Sequence, residues 1–275
     1  MMPTLDSGTL QVNGALFHYD SAGSGQPLLL LHAGICDRHM WDGQMAALAE
    51  HFRVVRYDLR GFGQTPVPPG SFSHVADLAG IMTALGIERA HLLGCSKGGS
   101  AALDFALLHP QRVSGLVLVC SAPSGYQPAE PVPESAQWPA VVAAFEAGDL
   151  ERAAELEVQV WVDGPRRGPG EVAAALRAKV RAMDLQALRH EVAAEGRAEE
   201  QKPPLPAAGR LAEVRAPTLV ISGDLDAPIS LSSGAALAAG IPGARRVVIE
   251  GTAHLPNMEQ PAVFNQVVVD FLAGL

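Results

Sequence analysis

The sequence predicts an α/β fold: a mostly parallel central sheet flanked by helices, with a block of helices inserted late in the chain. Three observations carry this. Short apolar runs ending in Gly, Ser or Asp alternate with longer stretches of helical periodicity, the rhythm of parallel strands joined by helical crossovers. The runs are nearly continuous in Leu, Val and Ile, as strands covered on both faces require. One long interval lacks any such run. The chain's 275 residues suit one large α/β domain or two small ones and can bury a sizeable core without disulfide staples.

The elements follow in order. Thr9–Asn13 and Leu16–Asp20 flank Gly14 and read as an antiparallel hairpin at one sheet edge. Buried strands are expected at Leu28–His32, Val54–Asp58, His91–Cys95, Leu116–Cys120, Thr218–Ser222 and Arg246–Glu250. Helical periodicity occupies residues near 40–50, 73–86, 98–108, 231–239 and 260–274.

From Pro123 to about Gly209 no strand is legible. A Pro-rich entry, Pro128–Pro139, leads into helices near 140–147, 150–162, 171–183 and 185–196, and Lys202–Pro206 forms a Pro-rich exit. The chain therefore divides into a core of residues 1–122 and 210–275 and a helical cap of residues 123–209. Helices inserted between strands of a parallel sheet belong over the carboxyl ends of those strands, where open α/β sheets bind ligands. Both ends of the insertion return to the same sheet, which favours a cap over an independent bundle.

Composition excludes several function classes. A net charge of −9 without a basic cluster argues against a nucleic-acid partner. No apolar run is long enough to span a bilayer, and the start of the chain lacks a basic stretch followed by an apolar one, so a soluble, cytoplasmic protein without a membrane partner is expected. The three cysteines, Cys36, Cys95 and Cys120, have no metal-site spacing and leave one unpaired in any pairing, in keeping with reduced thiols. Neither a metal nor an organic cofactor is implied, and nothing in the sequence sets the oligomeric state.

The sharpest chemical signal is Gly94-Cys95-Ser96-Lys97-Gly98-Gly99, lying between an apolar strand and a helical run. A serine on so tight a turn needs glycines around it, and its hydroxyl is then carried above the sheet. The helix behind it aims the Lys97 amide and its own positive end at an oxyanion forming on a carbonyl attacked by Ser96. A serine hydroxyl needs a base, and the base needs a carboxylate. His254, in Gly251-Thr252-Ala253-His254, follows the last apolar strand, and Asp226, in Gly223-Asp224-Leu225-Asp226, follows the strand before it. Asp224 competes with Asp226 for the acid role, with one of the pair expected to cap the turn. A second oxyanion donor is expected in the loop His32-Ala33-Gly34-Ile35, from Gly34 ahead of Ile35, with His32 organising the loop. Asp58 and Arg60 in Asp58-Leu59-Arg60-Gly61-Phe62-Gly63 read as hydrogen-bonding struts of a glycine-rich turn.

Taken together, the His32-Ala33-Gly34 loop, the Asp58–Gly63 turn, the Ser96 elbow, Gly223-x-x-Asp226 and Ala253-His254 with Glu259-x-Pro261 resemble the capped α/β-hydrolases of the esterase, enol-lactonase and carbon–carbon hydrolase group, over nearly the whole length. The resemblance implies hydrolysis of a small or medium ester or lactone by a Ser96–His254–Asp226 triad through an acyl-enzyme. It favours Asp226, three residues after the strand-ending glycine, over Asp224. The alternatives on this fold are an enol-lactonase or carbon–carbon hydrolase, a cofactor-free perhydrolase, and a non-enzymatic ligand receptor. Two departures stand out: Ala33 replaces the usual glycine, and Lys97 replaces a Met, Leu or Gln. The Lys97 side chain has two readings, a positive charge at the pocket edge that favours carboxylate-bearing substrates, or a solvated lysine on the first helical turn. Ile35, Trp138, Trp161 and Tyr126 are the candidate pocket contacts.

Overall fold

The computed structural model describes residues 5–275. Its strands are β1 (Asp6–Val12), β2 (Ala15–Ala22), β3 (Pro27–Leu31), β4 (Arg53–Tyr57), β5 (Gly70–Phe72), β6 (Ala90–Cys95), β7 (Val113–Val119), β8 (Ala198–Glu200), β9 (Thr218–Gly223) and β10 (Arg245–Ile249). Eight form one sheet in the order β1-β2-β4-β3-β6-β7-β9-β10. The β1–β2 and β2–β4 pairings are antiparallel, and every other pairing in this sheet is parallel. The hairpin turns at Asn13-Gly14, both at positive φ (45° and 77°), as a tight two-residue turn requires.

The helices are α1 (Asp42–Ala49), α2 (His74–Ala84), α3 (Lys97–Leu108), α4 (Trp138–Glu146), α5 (Leu150–Val158), α6 (Ala174–Ala194), α7 (Pro228–Gly240), α8 (Pro256–Glu259) and α9 (Pro261–Leu272). Strand side chains alternate between the two faces of the sheet. Leu29 and Leu31 join one buried cluster with Leu78 of α2, Leu103 of α3 and Leu237 of α7. Leu28 and Leu30 join the other with Leu48 of α1 and Phe264 and Val268 of α9. All four leucines are fully buried, each worth roughly 1.5–3 kcal/mol of transfer free energy.

The chain leaves β3 toward β4 on one side and leaves β6 toward β7 on the other. Loops at the carboxyl ends of β3 and β6 therefore diverge, opening the crevice where such sheets take ligands. Gly34 follows β3 and Ser96 follows β6, so topology alone puts both at that crevice.

The insertion between β7 and β9 differs from expectation in three ways. The helices expected at 171–183 and 185–196 are one continuous helix, α6. Met183-Asp184-Leu185 contains neither Gly nor Pro, and Asp184 is only 1% exposed inside the helix. The helix expected over 150–162 ends at Val158 in a π-turn, Gln159–Asp163, closed by Gly164 at φ 73°. Lastly, the interval is not strand-free: β8 pairs in parallel with β5, Gly70 opposite Ala198 and Phe72 opposite Glu200. An Ala-Glu-Glu strand carries no β signal in its composition. This small sheet ties the end of the insertion to the segment before α2.

Candidate active site

Ser96 occupies a strained conformation, φ 49° and ψ −114°, between the end of β6 and the first residue of α3. Such a position costs of order 1–3 kcal/mol and persists only where the surroundings over-determine it. Here the Ser96 amide donates to Val119 O (2.9 Å), and the Gly98 amide donates to His32 O (3.1 Å). A Cβ on Gly94 would run into the Gly98 carbonyl, one on Gly98 into the Leu31 carbonyl, and one on Gly99 into Ser121 Oγ. The three glycines are thus fixed by close contact.

His254 and Asp226 come together as the sequence predicts. Nδ1 of His254 lies 2.9 and 3.0 Å from the two carboxylate oxygens of Asp226, with the residues 3% and 2% exposed. The carboxylate also accepts from the Ala227 amide (2.7 Å). An ionised Asp226 accepts from Nδ1–H, which leaves the Nε2 lone pair free. Asp224 acts elsewhere. Its carboxylate accepts from the Gly251 amide (2.6 Å), joining the two loops that carry the acid and the histidine.

The insertion braces both loops. The His254 amide donates to Trp161 O (3.2 Å), and the two rings lie 4.6 Å apart, tilted by 40°. Arg167 reaches Glu259 (2.6 Å) and Gly251 O (3.2 Å), and Arg166 donates to Asp224 O.

Ser96 and His254 line one cavity of about 260 Å³, together with Ala33, Gly34, Ile35, Phe62, Lys97, Trp161, Glu157 and Glu191. No hydrogen bond joins Ser96 Oγ to the imidazole among the described residues; such contacts commonly tighten only with substrate present. Three amides at this cavity, those of Gly34, Ile35 and Lys97, donate to no protein acceptor among the described residues, whereas the Ala33 amide is taken by Met40 Sδ (3.2 Å). His32 organises the loop as expected: Nδ1 donates to Ala33 O (2.8 Å) and Nε2 accepts from the Leu59 amide (2.9 Å). Burial lowers its pKa, which keeps the ring neutral. Asp58 holds its turn through the Gln64 amide (2.9 Å) and adds Arg38 (2.5 Å), while Arg60 leaves the turn for a two-pronged pair with Asp77 (2.8 Å).

Three further candidate side chains have these partners. Lys97 lines the cavity with its Nζ paired to Glu200 Oε2 at 3.1 Å. Burial alone would raise the Glu200 carboxyl, but Lys97 and neighbouring cations hold it below its ordinary value. Trp138 meets Trp161 edge-on (6.3 Å) and lines a groove with Pro128, Pro133 and Ile229 that shares Trp161 with the Ser96 cavity. Tyr126 spends its hydroxyl on Ser232 (2.7 Å). Conversely, Phe62, Glu157 and Glu191 line the cavity although the sequence did not single them out. The two glutamates resemble solvated helix charges; the one available signal was the apolar flanks of Leu156-Glu157-Val158.

Cys120 Sγ lies with the Asp226 and His254 ligand atoms inside 4.8 Å, all buried. Burial pushes the Cys120 thiol well up, and it donates to Ala253 O (3.8 Å). A protonated thiol beside an engaged carboxylate–imidazole pair is a poor metal cradle. Burial likewise raises the Cys95 thiol beside Ser96, leaving it unreactive.

Among known proteins, the chain is 31% identical to the pimeloyl-[acyl-carrier protein] methyl ester esterase of Aeromonas hydrophila subsp. hydrophila over 91% of this chain and 96% of that one. It is 28% identical to a 2-hydroxy-6-oxo-6-phenylhexa-2,4-dienoate hydrolase of Comamonas testosteroni over 94% and 91% of the two chains. The crystal structure of the enol-lactonase from Burkholderia xenovorans LB400 superposes with a TM-score of 0.76 at 27% identity, covering 97% of this chain and 100% of that one. The family model described as the alpha/beta hydrolase fold matches residues 26–261, and the chain belongs to that family of hydrolases.

Proposed function

We propose that the protein is a serine hydrolase of small or medium esters or lactones, with Ser96 as nucleophile, His254 as base and Asp226 as the residue orienting the histidine. The observation that carries this reading is a buried Asp226–His254 pair opening onto the same cavity as a strained, elbow-borne serine. The insertion, residues 123–209, acts as a cap, with Trp161 as its contact to the histidine.

In the reaction, His254 Nε2 takes the Ser96 hydroxyl proton as Oγ bonds to the acyl carbon. The amides of Gly34 and Lys97 hold the resulting oxyanion, each such donor typically worth ~10²–10³ in rate. Collapse breaks the bond to the leaving oxygen, which receives the proton from His254. Water then attacks the acyl-enzyme and gives its proton to the same ring; the acid departs and Ser96 regains its proton. Asp226 holds the Nδ1–H tautomer throughout.

A carbon–carbon hydrolase reading is favoured by the similarity to the dienoate hydrolase. Glu157 and Glu191 on the cavity wall and the paired Lys97 oppose an anionic dienoate, so ester or lactone hydrolysis stands first. A panel of p-nitrophenyl esters and small lactones tests the proposal. Wild type is expected to turn some of them over, and Ser96→Ala to lose on the order of 10⁴-fold or more in kcat. Equal rates in the two proteins would refute it.

A further inference from the structure

Trp161 stands between two hollows. Its indole lies 4.6 Å from the His254 ring on one side and 6.3 Å, edge-on, from the Trp138 ring on the other. His254 lines the Ser96 cavity of about 260 Å³, and Trp138 lines the groove, of about 410 Å³. Among the described residues Trp161 alone lines both, so its ring is the wall between them. The groove beyond is largely apolar, with Pro128, Pro131, Val132, Trp138, Val160 and Ile229 along it.

The backbone under this ring is braced. Trp161 is the middle residue of the π-turn Gln159–Asp163, a wide turn of a kind frequent at functional sites. Its carbonyl accepts from the His254 amide (3.2 Å), the Val162 carbonyl accepts from Arg167 (2.8 Å), and Asp163 is paired with Arg177 (2.8 Å). A Cβ on Gly164, which closes the turn, would run into the Leu225 carbonyl, so the turn rests directly on the loop that carries Asp226.

The proposed chemistry sets which end of a substrate meets the indole. His254 gives its proton to the leaving oxygen, so the alcohol departs past the histidine, where Trp161 covers the imidazole. A second cavity, of about 470 Å³, opens at the other end: it shares Gly34, Phe62, Lys97, Glu157 and Glu191 with the first and touches neither His254 nor Trp161. Room for an acyl chain is therefore open at the proposed oxyanion amides, while room for an alcohol ends at the indole. The Ser96 cavity alone falls below the ~300–1,000 Å³ usual for sites of drug-sized ligands, whereas cavity and groove joined fall within it.

We infer that Trp161 is the specificity-determining residue on the alcohol side: its indole restricts the protein to esters of small alcohols, and without it the groove takes a longer alkyl alcohol. This rests on the proposed ester hydrolysis, which sets His254 beside the leaving oxygen.

The test follows acid release from methyl, butyl and hexyl butanoate in wild type, Trp161→Ala, Trp161→Phe and the Trp161→Ala/Ile229→Asn double variant. The quantity read is the hexyl-to-methyl ratio of kcat/KM within each protein, because any loss of support for His254 slows both esters alike and cancels. Each methylene buried in an apolar groove is worth up to ~4-fold, so the ratio is expected to rise by ~10-fold or more from wild type to Trp161→Ala. Trp161→Phe, with a smaller ring, is expected to shift it less in the same direction, which also reads the partition if the alanine variant does not fold. Ile229→Asn places an amide in the groove and is expected to reverse most of the gain. The ratio for methyl hexanoate over methyl butanoate, which varies the acyl end, is expected to stay as in wild type. An unmoved alcohol ratio in Trp161→Ala, a gain that survives Ile229→Asn, or a shift in the acyl ratio instead would overturn the inference while leaving the hydrolysis intact. Absence of turnover of every ester by wild type would overturn both.

Discussion

Two aspartates two residues apart, Asp224 and Asp226, follow β9, and their hydrogen bonds separate their roles. Asp226 grips the imidazole Nδ1, whereas Asp224 ties the backbone of one loop to that of the next. Asp226→Asn is expected to lower kcat by on the order of 10⁴, because an amide that donates to Nδ1 selects the wrong tautomer. Asp224→Ala is expected to act mainly on stability, by about 0.5–1.5 kcal/mol, through the lost hydrogen bond to the exposed Gly251 amide. Kinetics and thermal melts of the two variants check the split, and equal kinetic losses would contradict it. At this scale Ser96, His254 and Asp226 were legible because each follows an apolar strand at a turn of special composition. Glu157 and Glu191 were not, since a glutamate on a helix reads alike whether it faces water or a cavity. The ion pair of Lys97 was not legible for a related reason: its partner, Glu200, lies far along the chain in a strand without a β signature.

At the scale of elements, α5 and α6 bring Glu157, Asp184 and Glu191 to one cavity, and the protonation of Asp184 is coupled to folding. Burial, then Glu157 and Glu191, raises the Asp184 carboxyl to about 9. Between its unfolded value of 3.8 and about 9, the folded protein keeps a proton there that the unfolded chain has released, so this group's contribution destabilises increasingly as pH rises. The titratable groups that line the same cavity are Glu191 and Glu195 at the end of its own helix, Glu157 of α5, and Glu200, His74, Lys97 and Arg60 of the core and β8. Asp184→Asn removes this penalty: its Tm advantage over wild type is expected to grow from about pH 6 to about pH 9. A constant difference across that range would show that Asp184 is already ionised in the folded state. Strands and core helices were legible within a few residues because buried parallel strands read as continuous apolar runs. The insertion was not: α6 conceals its continuity behind a buried aspartate, and the β5–β8 pair is too short and too polar to mark itself.

Across the whole molecule, the sheet order places the loops after β3 and β6 at the point where the chain diverges, and the loops after β9 and β10 bring Asp226 and His254 to the same edge. Four segments far apart in sequence thereby supply the two proposed amide donors, the serine, the carboxylate and the imidazole, while the insertion adds Trp161 against the histidine and glutamates on the same cavity wall. The proposed nucleophile stands or falls on where a mechanism-based reagent attaches. Labelling with a fluorophosphonate, followed by peptide mass spectrometry, is expected to place a single adduct on Ser96 in wild type, slower labelling in Asp226→Asn, and no adduct in Ser96→Ala. An adduct on another residue, or undiminished labelling of Ser96→Ala, would contradict the account.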